Sequence, residues 1–178
     1  MNYHNITTDD MLNGDGLRTV LWVSGCQQKC NNCQNPQTWD FESGIPFTDE
    51  TMQELLDDLS LPYISGLTLS GGHPLEPQNL NTVYKIVKTV KEKFPNKSIW
   101  LYTGYTWEEI LEKDKSYEDL EVNGISPLDV VKYCDVLVDG KYEDDKRDIT
   151  LAWRGSSNQR VINIQESLKQ SKIVLWCE

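Results

Sequence analysis

Residues 64–94 read ISGLTLSGGHPLEPQNLNTVYKIVKTVKEKF, and this stretch decides the fold. ISGLTLSGG is a β-branched and apolar run stopped by a glycine pair, which reads as a buried strand. From about Asn79 to Phe94, the residues Leu80, Val83, Val87, Val90 and Phe94 fall on one side of a helix. A strand that passes within a few residues into an amphipathic helix is half of a βαβ unit, the repeating piece of a parallel sheet.

The same alternation continues on both sides. RTVLWVSG (18–25) is a β-branched and aromatic run ending in glycine and predicts a strand. In FTDETMQELLDDLSL (47–61), Thr48 is the expected N-cap, with Asp49 and Glu50 in the first turn, where the helix dipole favours anions. Met52, Leu55, Leu56 and Leu59 then recur at i, i+3, i+4 and i+7. Downstream, SIWLYTGY (98–105) predicts a strand and TWEEILEK (106–113) a short helix beginning at Thr106. KDKSYEDLEVNGIS (113–126) reads as a charged, exposed, irregular connection. PLDVVKYC (127–134) reads as helix, DVLVDGKY (135–142) as strand and EDDKRD (143–148) as a solvated charge run. ITLAWRG (149–155) and RVINIQ (160–165) are expected to close the fold as strands, with KIVLWCE (172–178) as a candidate last one. Five or six strand–helix units are too few for a closed eight-unit barrel. The expected fold is α/β, a partial (open) β/α barrel of five to six units with helices packed outside a parallel sheet, and residues 1–178 form one domain.

Composition narrows the function classes. Among 178 residues, 28 acidic against 17 basic side chains leave a formal net charge of −11. Such a surface repels phosphate backbones, and no basic stripe is present, so a nucleic-acid partner is not expected. No window approaches 18 apolar residues, and MNYHNITTDDML (1–12) lacks the basic-then-apolar order of a secretory signal. The expectation is a cytoplasmic protein with no membrane association. Five cysteines in a reducing compartment argue for metal or redox chemistry rather than a disulfide framework.

Three of those cysteines, Cys26, Cys30 and Cys33, lie in SGCQQKCNNCQNP (24–36). Their i, i+4, i+7 spacing would form a small apolar stripe on a helix, but Gly25, the Asn31–Asn32 pair and Pro36 make that helix poor. A structural zinc site usually recruits two closely spaced ligand pairs. Here the fourth ligand would come from Cys134, Cys177, His4 or His73, none of which forms a second pair. In an iron–sulfur reading, three thiolates from one loop leave one iron of a cubane without a protein ligand, an opening that a small molecule can occupy. The loop also follows a strand, at the strand end where α/β folds build their sites.

Cys26-x3-Cys30-x2-Cys33 resembles the signature of the radical S-adenosylmethionine enzymes. The resemblance implies a 4Fe–4S cluster on the three cysteines, with the amino and carboxylate groups of S-adenosylmethionine chelating the fourth iron. TLSGGHPL (68–75) is similar to the Gly-Gly-acid motif of that family, which implies that Gly71, Gly72 and His73 meet the methionine end of the cofactor. His73 stands where an acid is usual. Asn32 stands where many members carry an aromatic residue beside the adenine, and Asn32, Cys33 and Gln34 are expected against the adenine and ribose, mostly through backbone.

Within that superfamily, the chain resembles the activating proteins of anaerobic ribonucleoside-triphosphate reductase along nearly its whole length. The similarity runs through MNYHNI (1–6), NGDGLRTVLWVSGC (13–26), LSGGHPLEPQN (69–79), IWLYTGY (99–105), DVLVDGKY (135–142) and WRGSSNQRVI (153–162). Asp15 replaces the usual proline of the first turn. The resemblance implies an oxidoreductase that cleaves S-adenosylmethionine to a 5′-deoxyadenosyl radical. It further implies the reductase's glycyl-radical subunit as partner and an electron donor such as flavodoxin. Arg154 and Asn158 are expected at the mouth of the site, against the partner. No catalytic protein side chain is called for, because cluster and cofactor carry the chemistry. Cys134 is expected as a buried free thiol and Cys177 as exposed, neither needed for the cluster. The alternatives are an activase of another glycyl-radical enzyme, such as pyruvate formate-lyase, and a non-catalytic zinc-binding module.

Overall fold

The computed structural model describes residues 1–119 and 124–177, the side chains of residues 118 and 119 excepted. The described residues form one mixed sheet of seven strands: β1 (Asn2–Asp10), β2 (Arg18–Val23), β3 (Ile45–Pro46), β4 (Gly66–Gly71), β5 (Ser98–Tyr102), β6 (Val136–Asp139) and β7 (Arg160–Asn163). Their spatial order is β3-β1-β2-β4-β5-β6-β7, and the sheet does not close on itself. Parallel pairing is confined to β2, β4, β5 and β6. β1 runs antiparallel to β2, β3 antiparallel to β1, and β7 antiparallel to β6. The sheet is therefore mixed, not parallel throughout as the alternation suggests.

Among the described residues there are also five α-helices: α1 (Asp49–Leu59), α2 (Pro77–Lys93), α3 (Trp107–Asp119), α4 (Pro127–Val131) and α5 (Ile164–Gln170). Thr48 caps α1 as expected, in a reciprocal box with Thr51. One face of the sheet presents Leu21, Val23, Leu67, Leu69, Ile99, Leu101 and Leu137 to Leu55, Leu59, Val83, Val87, Val90 and Ile110 of the helices. Each such fully buried side chain contributes about 2 kcal/mol of transfer free energy. The alternate residues face the other way, where Trp100, Val136, Val138 and Val161 form a second cluster with Trp153. The period of two along the strands thus separates a helix-covered face from one covered by loop and tail.

Arg18 lies wholly buried in this second layer. Its guanidinium donates to Thr68 Oγ1 (2.7 Å), Leu67 O (2.7 Å), Ser98 O (2.9 Å), Ser98 Oγ (3.0 Å) and Asp15 O (2.9 Å), and it stacks over the Trp100 ring at 5.4 Å. Burial pulls its pKa down to about 10, although distant Tyr102 and Asp135 act against this.

Several elements differ from the sequence reading. β1 has no counterpart in it: NYHNITTDD is polar because β3 covers only its first two residues, leaving the rest as a sheet edge. KDKSYED continues α3 instead of leaving it, since charged side chains on a solvent face do not end a helix; residues 120–123 of that connection lie outside the described residues. ITLAWRG is turn, with the Asp148 carboxylate accepting from the Thr150 N–H (2.9 Å) and Trp153 at φ 57°. RVINIQ splits at Asn163, whose side chain accepts from the Glu166 N–H and caps α5. KIVLWC is not a full strand: it touches β7 through the Asn163 N–H to Val174 O and the Trp176 N–H to Val161 O, both 2.8 Å, and Glu178 lies outside the described residues.

Candidate functional site

The cysteine loop leaves β2 and returns beside its own start. The Gly25 N–H donates to Thr38 O (2.8 Å) and the Cys26 N–H to Trp39 O (3.0 Å), which closes the base of the loop. Positive φ at Lys29 (43°) and Asn32 (52°) and the Cys33 N–H to Cys30 O bond (3.2 Å) turn the chain so that it forms no helix. All three thiols are half-buried and none is in a disulfide.

Backbone N–H groups attend the sulfurs. The Asn35 N–H donates to Cys33 Sγ at 3.3 Å. Burial pushes the Cys26 thiol up, while the N–H groups of Gln28 and Lys29 pull against it. Burial likewise raises Cys30, opposed by Lys141 and the Tyr142 backbone. Hydrogen bonds to sulfur are one of the levers by which proteins set the properties of iron–sulfur clusters. Among the described residues, no three His, Cys, Asp or Glu side chains converge as they would on one metal ion. Three free, half-buried thiols on one loop are the soft donor set that an iron–sulfur cluster takes.

The glycine pair lies directly beneath. Gly71 adopts φ 95°, which only glycine takes without strain. The Gly72 N–H donates to Val23 O and the His73 N–H to Gly25 O, both at 2.8 Å, so the ends of β2 and β4 are laced together. The close approach that Gly72 permits is to this backbone: a β-carbon there would stand 2.7 Å from Gly25 O. His73 is 1% exposed, with its ring edge-on to Tyr105 at 4.4 Å. Its Nδ1 lies 3.2 Å from Glu76 Oε1 and its Nε2 2.6 Å from Thr103 Oγ1. An ionised carboxylate can only accept, so Nδ1 donates to Glu76, and Nε2 lies against the threonine hydroxyl.

Other loops wall the site. Asn32 Nδ2 donates to Asp144 Oδ2 (2.8 Å), and a β-carbon on Gly155 would lie 3.5 Å from Gln34 Nε2. Asn32 and Gln34 therefore adjoin the segments after β6 and before β7. Asn158 Nδ2 donates to Lys141 O (2.8 Å), while Asn158 Oδ1 and Arg154 Nε are buried without partners among the described residues. Arg154 and Asn158 thus belong to the loop that borders Gln34. Cys134 is fully buried as expected, its thiol raised by burial, whereas Cys177 is half-buried rather than exposed, packed against the cluster of Trp100, Val136, Val138 and Val161.

Sequence reasoning missed Glu76, Asn79, Thr103 and Asp144. Asn79 Nδ2 donates to Ser24 O (2.9 Å) and His73 O (3.2 Å), pinning α2 to both turns. A signal for Glu76 is present in PLEP (74–77): a lone charge between two prolines at a helix start, where the dipole favours an anion.

No described helix is long and apolar enough to cross a membrane. Residues 12–162 match the family model of a 4Fe-4S single cluster domain. A protein of Enterobacteria phage T4 named anaerobic ribonucleoside-triphosphate reductase-activating protein is 45% identical over 161 residues, covering 90% of this chain and 93% of the relative. The protein of that name from Vibrio cholerae serotype O1 is 43% identical over 161 residues, covering 89% and 96%. The one from Escherichia coli (strain K12) is 40% identical over 167 residues, covering 93% and 100%. On this evidence of shared sequence and a shared cluster domain, the chain belongs to the family of anaerobic ribonucleoside-triphosphate reductase-activating proteins.

Proposed function

We propose that this chain is a cytoplasmic radical S-adenosylmethionine enzyme that installs a glycyl radical on anaerobic ribonucleoside-triphosphate reductase. The observation that carries this reading is the half-buried loop of Cys26, Cys30 and Cys33, laced to the glycine turn at the ends of β2 and β4. A cluster held there would supply the electron for reductive cleavage of S-adenosylmethionine to methionine and a 5′-deoxyadenosyl radical, which would take the glycine α-hydrogen.

The residues of this chain hold and shield. Cys26, Cys30 and Cys33 would hold the cluster, with an open iron for the cofactor. Asn32, Cys33 and Gln34 lie against the adenine and ribose, and the turn at Gly71, Gly72 and His73 faces the methionine end through backbone. The side chain of His73 is held by Glu76 and Thr103, which favours a backbone contact over a ring contact. In this reading the site opens at one end of a partial β/α barrel, with the loop of Arg154 and Asn158, which borders Gln34, at its rim. A docked protein substrate excludes water from such an open site. An external donor such as flavodoxin supplies the electron.

The test is direct. Anaerobically reconstituted protein is brown and carries about four irons per chain. Incubated with a strong reductant, S-adenosylmethionine and the reductase, it yields a glycyl radical by electron paramagnetic resonance. Substituting Arg154 and Asn158 weakens that signal without changing iron content. A full radical yield on pyruvate formate-lyase with none on the reductase refutes the partner; colourless protein with one zinc refutes the chemistry.

A further inference from the structure

Glu76 is a charged group for which the cofactor-binding scheme has no use. It is 2% exposed, and among the described residues no lysine or arginine pairs with it. Its Oε1 accepts from the Gln27 N–H at 2.9 Å and from His73 Nδ1 at 3.2 Å, and Oε2 makes no hydrogen bond among the described residues. A buried carboxylate stays ionised only where hydrogen bonds hold it, and those of Glu76 come from the Gln27 peptide and the His73 ring.

The place is the cysteine loop. Gln27 directly follows Cys26, so the carboxylate holds the peptide next to the first thiol. The hold is continued inward: His73 is braced by Thr103 at the end of β5, and Thr103 Oγ1 also accepts the Tyr105 N–H at 3.1 Å. A chain of contacts thus runs from β5 through the turn after β4 and the start of α2 to the loop. Burial acts against the Glu76 carboxylate, but hydrogen bonds from His73 and Gln27 outweigh it and keep the group below the usual range.

We infer that Glu76 is a positioning residue for the cluster: it anchors the Gln27 peptide beside Cys26 and keeps a fixed negative charge at that corner of the site. This rests on the cluster reading above. A neighbouring negative charge opposes the arrival of an electron, and net charge and hydrogen bonding are the levers that set cluster potentials. Glu76 therefore holds the potential low, the direction that breaking a sulfonium bond by one electron demands.

The test is a redox titration of the anaerobically reconstituted full chain, followed by electron paramagnetic resonance. Glu76→Gln keeps an acceptor for the Gln27 N–H and loses the charge. It is expected to retain the parent's iron content while its reduction equilibrium shifts about tenfold toward the reduced form, about 59 mV for one electron. Glu76→Asp keeps the charge on a shorter stem and is expected to stay at the parent's potential. An unshifted glutamine variant, or an aspartate variant shifted as far as the glutamine one, overturns the assignment. A parent protein that takes up no iron overturns the cluster reading, and this inference with it.

Discussion

A β-carbon built on Gly72 would stand 2.7 Å from the carbonyl oxygen of Gly25 and 2.9 Å from that of Val23. The turn that starts the cysteine loop and the turn that carries the glycine pair are therefore in backbone contact, and no side chain fits between them. Gly72→Ala is expected to cost about 3 kcal/mol by overpacking. Gly140→Ala is the control: its β-carbon meets nothing closer than 3.7 Å, and only its φ of 92° opposes the change, costing about 1 kcal/mol. Thermal unfolding of the two variants decides; equal losses would mean the turns can separate freely.

His73→Ala is expected to act on stability. The sequence alone suggests a loss of about 1 kcal/mol in cofactor binding, as for one hydrogen bond. The structure buries the ring between Glu76 and Thr103, so its removal unpairs both and leaves a cavity. A loss of about 3 kcal/mol follows. Denaturant unfolding of the metal-free chain measures it, and an unchanged midpoint would refute the buried arrangement.

Each of Cys26→Ala, Cys30→Ala and Cys33→Ala is expected to lose the cluster and all cleavage of S-adenosylmethionine. Cys134→Ala keeps both, because that thiol is sealed in the core and donates only to Val130 O (3.6 Å). Its own cost is about 1 kcal/mol of stability. Iron analysis and product formation check the series, and retained cleavage in any loop variant contradicts it.

Arg18→Met removes five donors from the interior while keeping most of the apolar stem. Leu67 O and Ser98 O lose their contacts to the guanidinium. The expected loss is about 3 kcal/mol. Arg18→Lys is no rescue, since one ammonium cannot reproduce the planar fork. Comparison of unfolding midpoints tests both statements.

Glu108 supplies a pH dependence. Its carboxyl is held below the ordinary range by hydrogen bonding to Arg160, which Asp139 also holds at 3.0 Å. Because the folded value lies below the unfolded one, the stability is fully present above the unfolded carboxyl value of about 4.3. It is lost as pH falls through the folded value. Exposure keeps the contribution below about 1 kcal/mol. Glu108→Gln should therefore be less stable than the parent at pH 7 and equal to it in strong acid, with the gap shrinking in high salt.

Local chemistry was enough to read the parts of this protein whose neighbours lie close in sequence. The apolar spacing of Met52, Leu55, Leu56 and Leu59, the cap at Thr48 and the glycine stop after ISGLTLSGG are properties of short windows, and each is found where it was expected. So are the three cysteines on one loop after β2. Tertiary structure decided whatever depends on a distant partner. β1 is a strand because β2 offers it hydrogen bonds, not because its own residues favour one. ITLAWRG has strand composition but is turn, looped out between Arg147 and Ser156, which bridge to each other across it. His73 and Gly72 answer to Thr103, Glu76 and Gly25, residues that a linear reading cannot bring together. Periodicity records which face of an element is buried; it carries no information about which atoms wait on the other side.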